Sequence, residues 1–314
     1  MTRLVVYRLA AMVPLLLIVS LIVFGLSQLI PGDPAVVLAG EHATPELIAK
    51  LRSELGLDQS LPVQYLDWLR AALTGDLGHS IQTTEPVRDA VLNRLPATLY
   101  LVAVSMVVSI ALGGALGVTA AVRAGRGADR VLSACASFLV AVPSFVLGLF
   151  LVLVFALHLG WAQATGFLLP DAGLGESLRS VALPALALGA GSAGEFALHV
   201  RSAVRTSLDA EHTLALQSRD VPMKKIVFKH GLRNAAIPLT TVLALIFQHL
   251  LGASVVIEVL FAIPGMGTLG VDAVQHRDLP MLQGVVIVLA VTVLLANLLS
   301  DVLYGLLDPR TRRS

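Results

Sequence analysis

Residues 96–122 read "PATLYLVAVSMVVSIALGGALGVTAAV", twenty-seven positions without a charged side chain. At about 1.5 Å of helical rise per residue, this stretch is long enough to cross the roughly 30 Å of hydrocarbon in a bilayer. Predominantly apolar blocks of similar length recur at Leu9–Ile30, Val131–Leu157, Val181–Val200, Ala235–Ile257 and Gly284–Leu307. The pattern predicts an all-α, polytopic membrane protein with six transmembrane helices and both termini on one side.

Composition agrees. Of 314 residues, 56% are hydrophobic and only 14% charged, too little charge to cover a soluble surface of this size. A net charge of +1 gives no electrostatic case for nucleic acid. The single cysteine, Cys135, lies inside an apolar block, which excludes an intrachain disulfide and offers no metal cluster. The first block follows "MTRLVVYR" and ends in "LIPGDP" rather than at a small-residue cleavage site, so a retained helix is expected rather than a removed signal peptide.

Orientation follows from Lys and Arg in the connections. The termini and the segments after the second and fourth blocks carry fifteen of them, against seven on the other side, so the first set is expected in the cytoplasm. This divides the chain into a cytoplasmic N-terminus with the first span (1–30), an extracytoplasmic segment (31–95), a core of five spans (96–307) with a cytoplasmic loop at 201–234, and a C-terminal tail (308–314).

The outer segment carries nine acidic and five basic residues and is patterned for short helices. In "TPELIAKLRSELG", Thr44 is placed as N-cap, Pro45 opens the helix, Leu47, Ile48, Leu51 and Leu55 form an apolar stripe, and Gly56 stops it. "LPVQYLDWLRAALTG" is a second amphipathic stretch, with Tyr65 and Trp68 suited to the interface, and "EPVRDAVLNRL" leads into the second span.

Within the spans, small residues recur at helical spacing: Gly113 and Gly117; Ser137, Ala141, Ser144 and Gly148; Gly189, Gly191 and Gly194. They are expected to let helix backbones approach closely. Pro143 removes a helical hydrogen bond and should bend the third span, which makes Pro143 and Ser144 candidate gating residues. Glu195 and His199 share one face of the fourth span and are candidate pore residues; with His249 they frame the alternative of a proton-coupled carrier.

Enzyme motifs fail on spacing. There is no G-x-x-x-x-G-K-[ST] phosphate loop and no H-E-x-x-H, and "AGSAG" at 190–194 falls one residue short of a nucleophile elbow, so no catalytic, cofactor or metal site is expected in this chain.

The densest basic run lies in "LDAEHTLALQSRDVPMKKIVFKHGLRNAAIP", residues 208–238. Helix formers fill 210–219, Pro222 pushes Val221 out of helical geometry, and a second helix starts near Met223, so a compact helix–turn–helix knob is expected to project from the membrane. Here the chain resembles binding-protein-dependent ABC importer permeases: "KHGLRNAAIP" is similar to the second half of their cytoplasmic coupling loop. The dipeptide, oligopeptide and nickel branch is indicated by "PGDP" at 31–34, "LGLDQSLPVQYLDWL" at 55–69, "TGDLGHS" at 74–80, "VPSFVLGL" at 142–149, "VLFAIPGMGTLGVDAV" at 259–274 and the ending "DPRTRRS".

The resemblance implies a type I importer permease fold, short peptides as cargo with nickel chelates or other small solutes as alternatives, and no ATP site of its own. ATP and magnesium would belong to two cytoplasmic ATPase subunits, with a second permease subunit alongside, membrane lipid around, and an extracytoplasmic solute-binding protein delivering cargo. It further implies that Glu211, His212, Leu214, Leu216, Arg219 and Asp220 fit a groove on an ATPase, while Lys229, His230, Arg233 and Asn234 brace the knob. Asp220 stands where the family has a glycine ending the first loop helix, and "HTLALQSR" keeps little of the usual run before it.

Overall fold

The computed structural model describes residues 2–29, 33–39, 44–54, 56–210, 213, 216 and 221–307. Among them the only pairing outside helices and turns is an isolated antiparallel bridge between His79 and Pro86. The helices are α1 (Thr2–Leu29), α2 (Pro34–Ala39), α3 (Pro45–Glu54), α4 (Leu61–Leu73), α5 (Val87–Val122), α6 (Gly127–Ala141), α7 (Ser144–Leu151), α8 (Leu174–Leu208), α9 (Leu232–Leu260), α10 (Met266–Gln275) and α11 (Leu279–Leu307).

Among the described residues five helices are long and apolar enough to cross a membrane, and α6 with α7 and its continuation to His158 meets the same measure only as a bent pair, a sixth, broken span if its two halves cross together. The expected Val131–Leu157 helix is therefore interrupted. Val142 N–H still bonds the Phe138 carbonyl, but Pro143 has no N–H to continue the ladder, and a new helix starts when Val146 and Leu147 donate to the Pro143 carbonyl. The two halves meet at 97°. Several helices outrun their apolar blocks: Val87–Leu95 of "EPVRDAVLNRL" forms the first turns of α5, α1 and α8 each begin seven residues before Leu9 and Val181, and α11 begins five before Gly284.

The chain gathers into two compact units. One comprises Val6–Pro96 and Gly265–Leu294. Its core holds Val87, Ala90, Val91, Met266, Ala273, Met281 and Val285, with Leu77, Leu269 and Leu282 packed around them. Sequence signals at its short helices are borne out: Leu47 N–H bonds Thr44 Oγ1 at 3.2 Å, and past α3 Gly56 takes a left-handed φ of +67° that lets Leu57 N–H return to the Arg52 carbonyl. Tyr65 and Trp68 cluster with Phe24 of α1, and Tyr65 Oη lies 2.8 Å from Ser20 Oγ. Buried Asp278 accepts from Ser80 Oγ and from Ile81 N–H, tying the "TGDLGHS" turn to the α10–α11 connection.

The other unit is built on Ala97–Pro264 with the chain from Leu295 on. Its centre is α8, along which seventeen residues from Ser177 to Ser207 are buried. Helices α5, α6, α7 and α9 surround α8, and small residues set how closely they come.

Candidate coupling site and translocation core

Four glycine positions expected as packing residues lie against backbone. A Cβ at Gly113 or Gly117 on α5 would collide with the Ala193 or Ala197 carbonyl oxygen of α8, and one at Gly194 would strike the Ala136 carbonyl of α6. Gly189 of α8 abuts Ser105, and Ser109 Oγ donates to the Gly189 carbonyl at 2.9 Å. Gly148 leaves room for Leu260 and Phe261, so the far half of the broken span is held against the end of α9.

Buried polar groups cross this unit at points that sequence reading did not single out. Glu258, the residue just past the fifth apolar block, is fully buried; Thr98 Oγ1 donates to its Oε1 at 2.7 Å and Ser254 Oγ at 3.3 Å. An amide pair joins α9 to α11 where Gln248 Nε2 donates to Asn297 Oδ1 at 2.7 Å. Asp129, at the start of α6, is almost completely buried and receives a bidentate pair from Arg201: Nε to Oδ1 at 2.6 Å and Nη2 to Oδ2 at 2.9 Å. A charge at the margin of an apolar block was the available signal for Asp129 and Glu258, since desolvated ions need partners.

Of the candidate pore residues, Pro143 is exposed at the bend and Ser144 half-buried beside it. Glu195 is half-buried and His199 exposed, and no hydrogen bond or ion pair joins them among the described residues, although their spacing permits one. His249 is exposed on α9. His199 instead lines a groove of about 510 Å³ between α8 and the start of α9, with Ser202, Thr206, Ala235 and Leu239.

The groove adjoins the expected knob. Glu211, His212, Leu214, Arg219 and Asp220 lie outside the described residues, as do the side chains of His230, Arg233 and Asn234. What is described is how the loop is rooted. Thr213, buried, donates from Oγ1 to the Ser207 carbonyl at 2.8 Å, and Val221 N–H bonds the carbonyl of half-buried Leu216. After Pro222, a turn of helix at Met223–Lys225 widens into a π-helical stretch at Ile226–Gly231 that leads into α9. Ile226 and Val227 are buried there, Gly231 approaches Val204 and Leu208 of α8, and Lys229 is exposed. The loop thus leaves α8 beside a buried hydrogen bond and re-enters the bundle through packed apolar residues.

Comparison with known proteins gives concordant findings. A family model described as "Binding-protein-dependent transport system inner membrane component" matches residues 113–313, and its N-terminal companion matches residues 1–102. A protein of Brucella abortus whose name assigns it to a peptide transport system as permease is 39% identical over 313 residues, 99% of both chains. The glutathione transport system permease protein GsiC of Salmonella typhi is 39% identical over 312 residues, again 99% of each. Among solved structures, a chain of the MetNI methionine ABC transporter in an inward facing conformation aligns with a TM-score of 0.59 at 18% identity, covering 69% of this chain and 95% of that one. At that identity the likeness concerns the fold alone.

Proposed function

Because the chain belongs to the family of binding-protein-dependent transport system inner membrane components, we propose that it is the transmembrane permease subunit of an ATP-driven importer of short peptides. Both named relatives point to this cargo class, glutathione being itself a tripeptide. The subunit works with a second permease chain, two cytoplasmic ATPases that bind ATP and magnesium, and an extracytoplasmic solute-binding protein. Its termini and the 201–234 loop face the cytoplasm, in keeping with the excess of Lys and Arg there.

The observation that carries the mechanism is the rooting of that loop. A docking surface transmits work only if the motor binds two states of the bundle with different free energy. A floppy tether would dissipate the displacement. Here Thr213 is bonded to the end of α8, and Ile226 and Val227 are buried where the chain turns back into α9, so a push on the loop is delivered to α8, the most enclosed helix of its unit. Glu211 to Asp220 make the ATPase contact, and Lys229 to Asn234 brace the loop.

Leu214→Glu and Leu216→Glu are therefore expected to release the ATPase subunits from the purified membrane complex while the permease remains in the membrane. Undiminished co-purification would remove the docking role from this segment.

A further inference from the structure

The Asp129–Arg201 pair joins two segments that the mechanism above does not connect. Asp129 belongs to the first turn of α6, and its Oδ2 also accepts the Gly125 N–H at 3.0 Å, which fastens the whole α5–α6 turn to the carboxylate. Arg201 stands on α8 seven residues before that helix ends and the knob begins. The link therefore lies where the loop's motion would enter the bundle.

The rest of the α6–α8 seam gives it a purpose. The helices run antiparallel, with Gly194 against Ala136, Leu139 and Val140 and Gly191 near Leu139, so from Arg201 inward these contacts are apolar packing around glycines. Such a seam brings helices together but gives little resistance to splaying at an end. A bidentate guanidinium–carboxylate pair does resist it, because both bonds are directional and one partner is desolvated. The carboxylate side chain is 6% exposed and the guanidinium side chain 31%. Beyond this seam α6 ends at Ala141 and the chain turns through 97° at Val142–Pro143.

We propose that Asp129–Arg201 is a positioning joint of the coupling machinery: it locks the α5–α6 turn to the root of the cytoplasmic loop, so that nucleotide-driven movement of the loop also turns α6 and shifts the bend at Pro143. The inference rests on the docking role given to the loop above. Without the joint, ATPase binding persists but its displacement is no longer passed to α6.

Cys135 allows a direct test, being the chain's single cysteine and exposed on α6. The assembled complex, with partner cysteines replaced by serine, is labelled there with an environment-sensitive thiol fluorophore, and the response to ATP with vanadate is recorded beside ATPase co-purification and hydrolysis. Asp129→Asn is expected to keep its ATPases and to lose about fivefold or more of the Cys135 response, the scale of an ordinary coupling energy. The reciprocal Asp129→Arg, Arg201→Asp double variant is expected to recover part of it, and Arg201→Lys, which keeps charge but not the fork, to fall between. A full Cys135 response in Asp129→Asn would overturn the joint, as would parallel loss of ATPase binding and response with no recovery in the swap. Absence of ATPases from the unaltered complex would instead refute the docking role, and the joint with it.

Discussion

Gly113 and Gly114 are neighbours in the sequence with opposite surroundings. A methyl group at Gly113 runs into the Ala193 carbonyl, whereas nothing lies within 4 Å of one at Gly114. Gly113→Ala should cost about 1–3 kcal/mol through forced separation of α5 and α8. Gly114→Ala should be neutral or gain up to about 1 kcal/mol from helix propensity. Thermal unfolding of the two variants in detergent checks this, and equal shifts would mean that Gly113 does not sit on the seam. The i,i+4 spacing of Gly113 and Gly117 was enough to mark a packing face, since side chains four apart share one side of a helix. It was not enough to identify the partner, which lies some eighty residues away. The same limit applies to Asp129, whose guanidinium partner is 72 residues on and whose presence in the sequence is otherwise one acid among basic neighbours.

At the scale of elements, the broken span is the feature most open to change. Its bend depends on a missing donor at Pro143 and on the seating of Gly148 against Leu260 and Phe261. Pro143→Ala restores an N–H that can continue the helical ladder from α6 into α7. Spin labels on the two halves of the span are expected to report a larger separation as the bend opens, with ATPase binding retained and peptide uptake reduced. An unchanged distance would show that Gly148 and its neighbours alone impose the angle. Helix starts and stops were readable because caps, prolines and glycines act over a few residues: Thr44, Gly56 and Pro143 do what their chemistry requires wherever the helices end up. The 97° angle was not readable, because a proline only removes a bond and the surrounding helices decide where the freed segment goes.

For the whole molecule, the distribution of Lys and Arg fixes an expected topology that reporter fusions can test. A reporter active only outside the cytoplasm should be active when fused after Thr74, between α4 and α5, and silent when fused after Arg126 or at the C-terminus. The reverse pattern would place the basic loop outside and remove it from any ATPase. Hydropathy, charge asymmetry and local helix signals determined on their own that this chain is a helical membrane protein with about six crossings, because the bilayer forces each span to satisfy its own backbone. The tertiary structure alone decided that Glu258 is buried against Thr98, that Gln248 meets Asn297, and that Asp129 clasps Arg201. Each of those pairs unites helices far apart in the chain, and the free energy that selects them comes from close packing and shared desolvation, quantities that exist only once the helices have met.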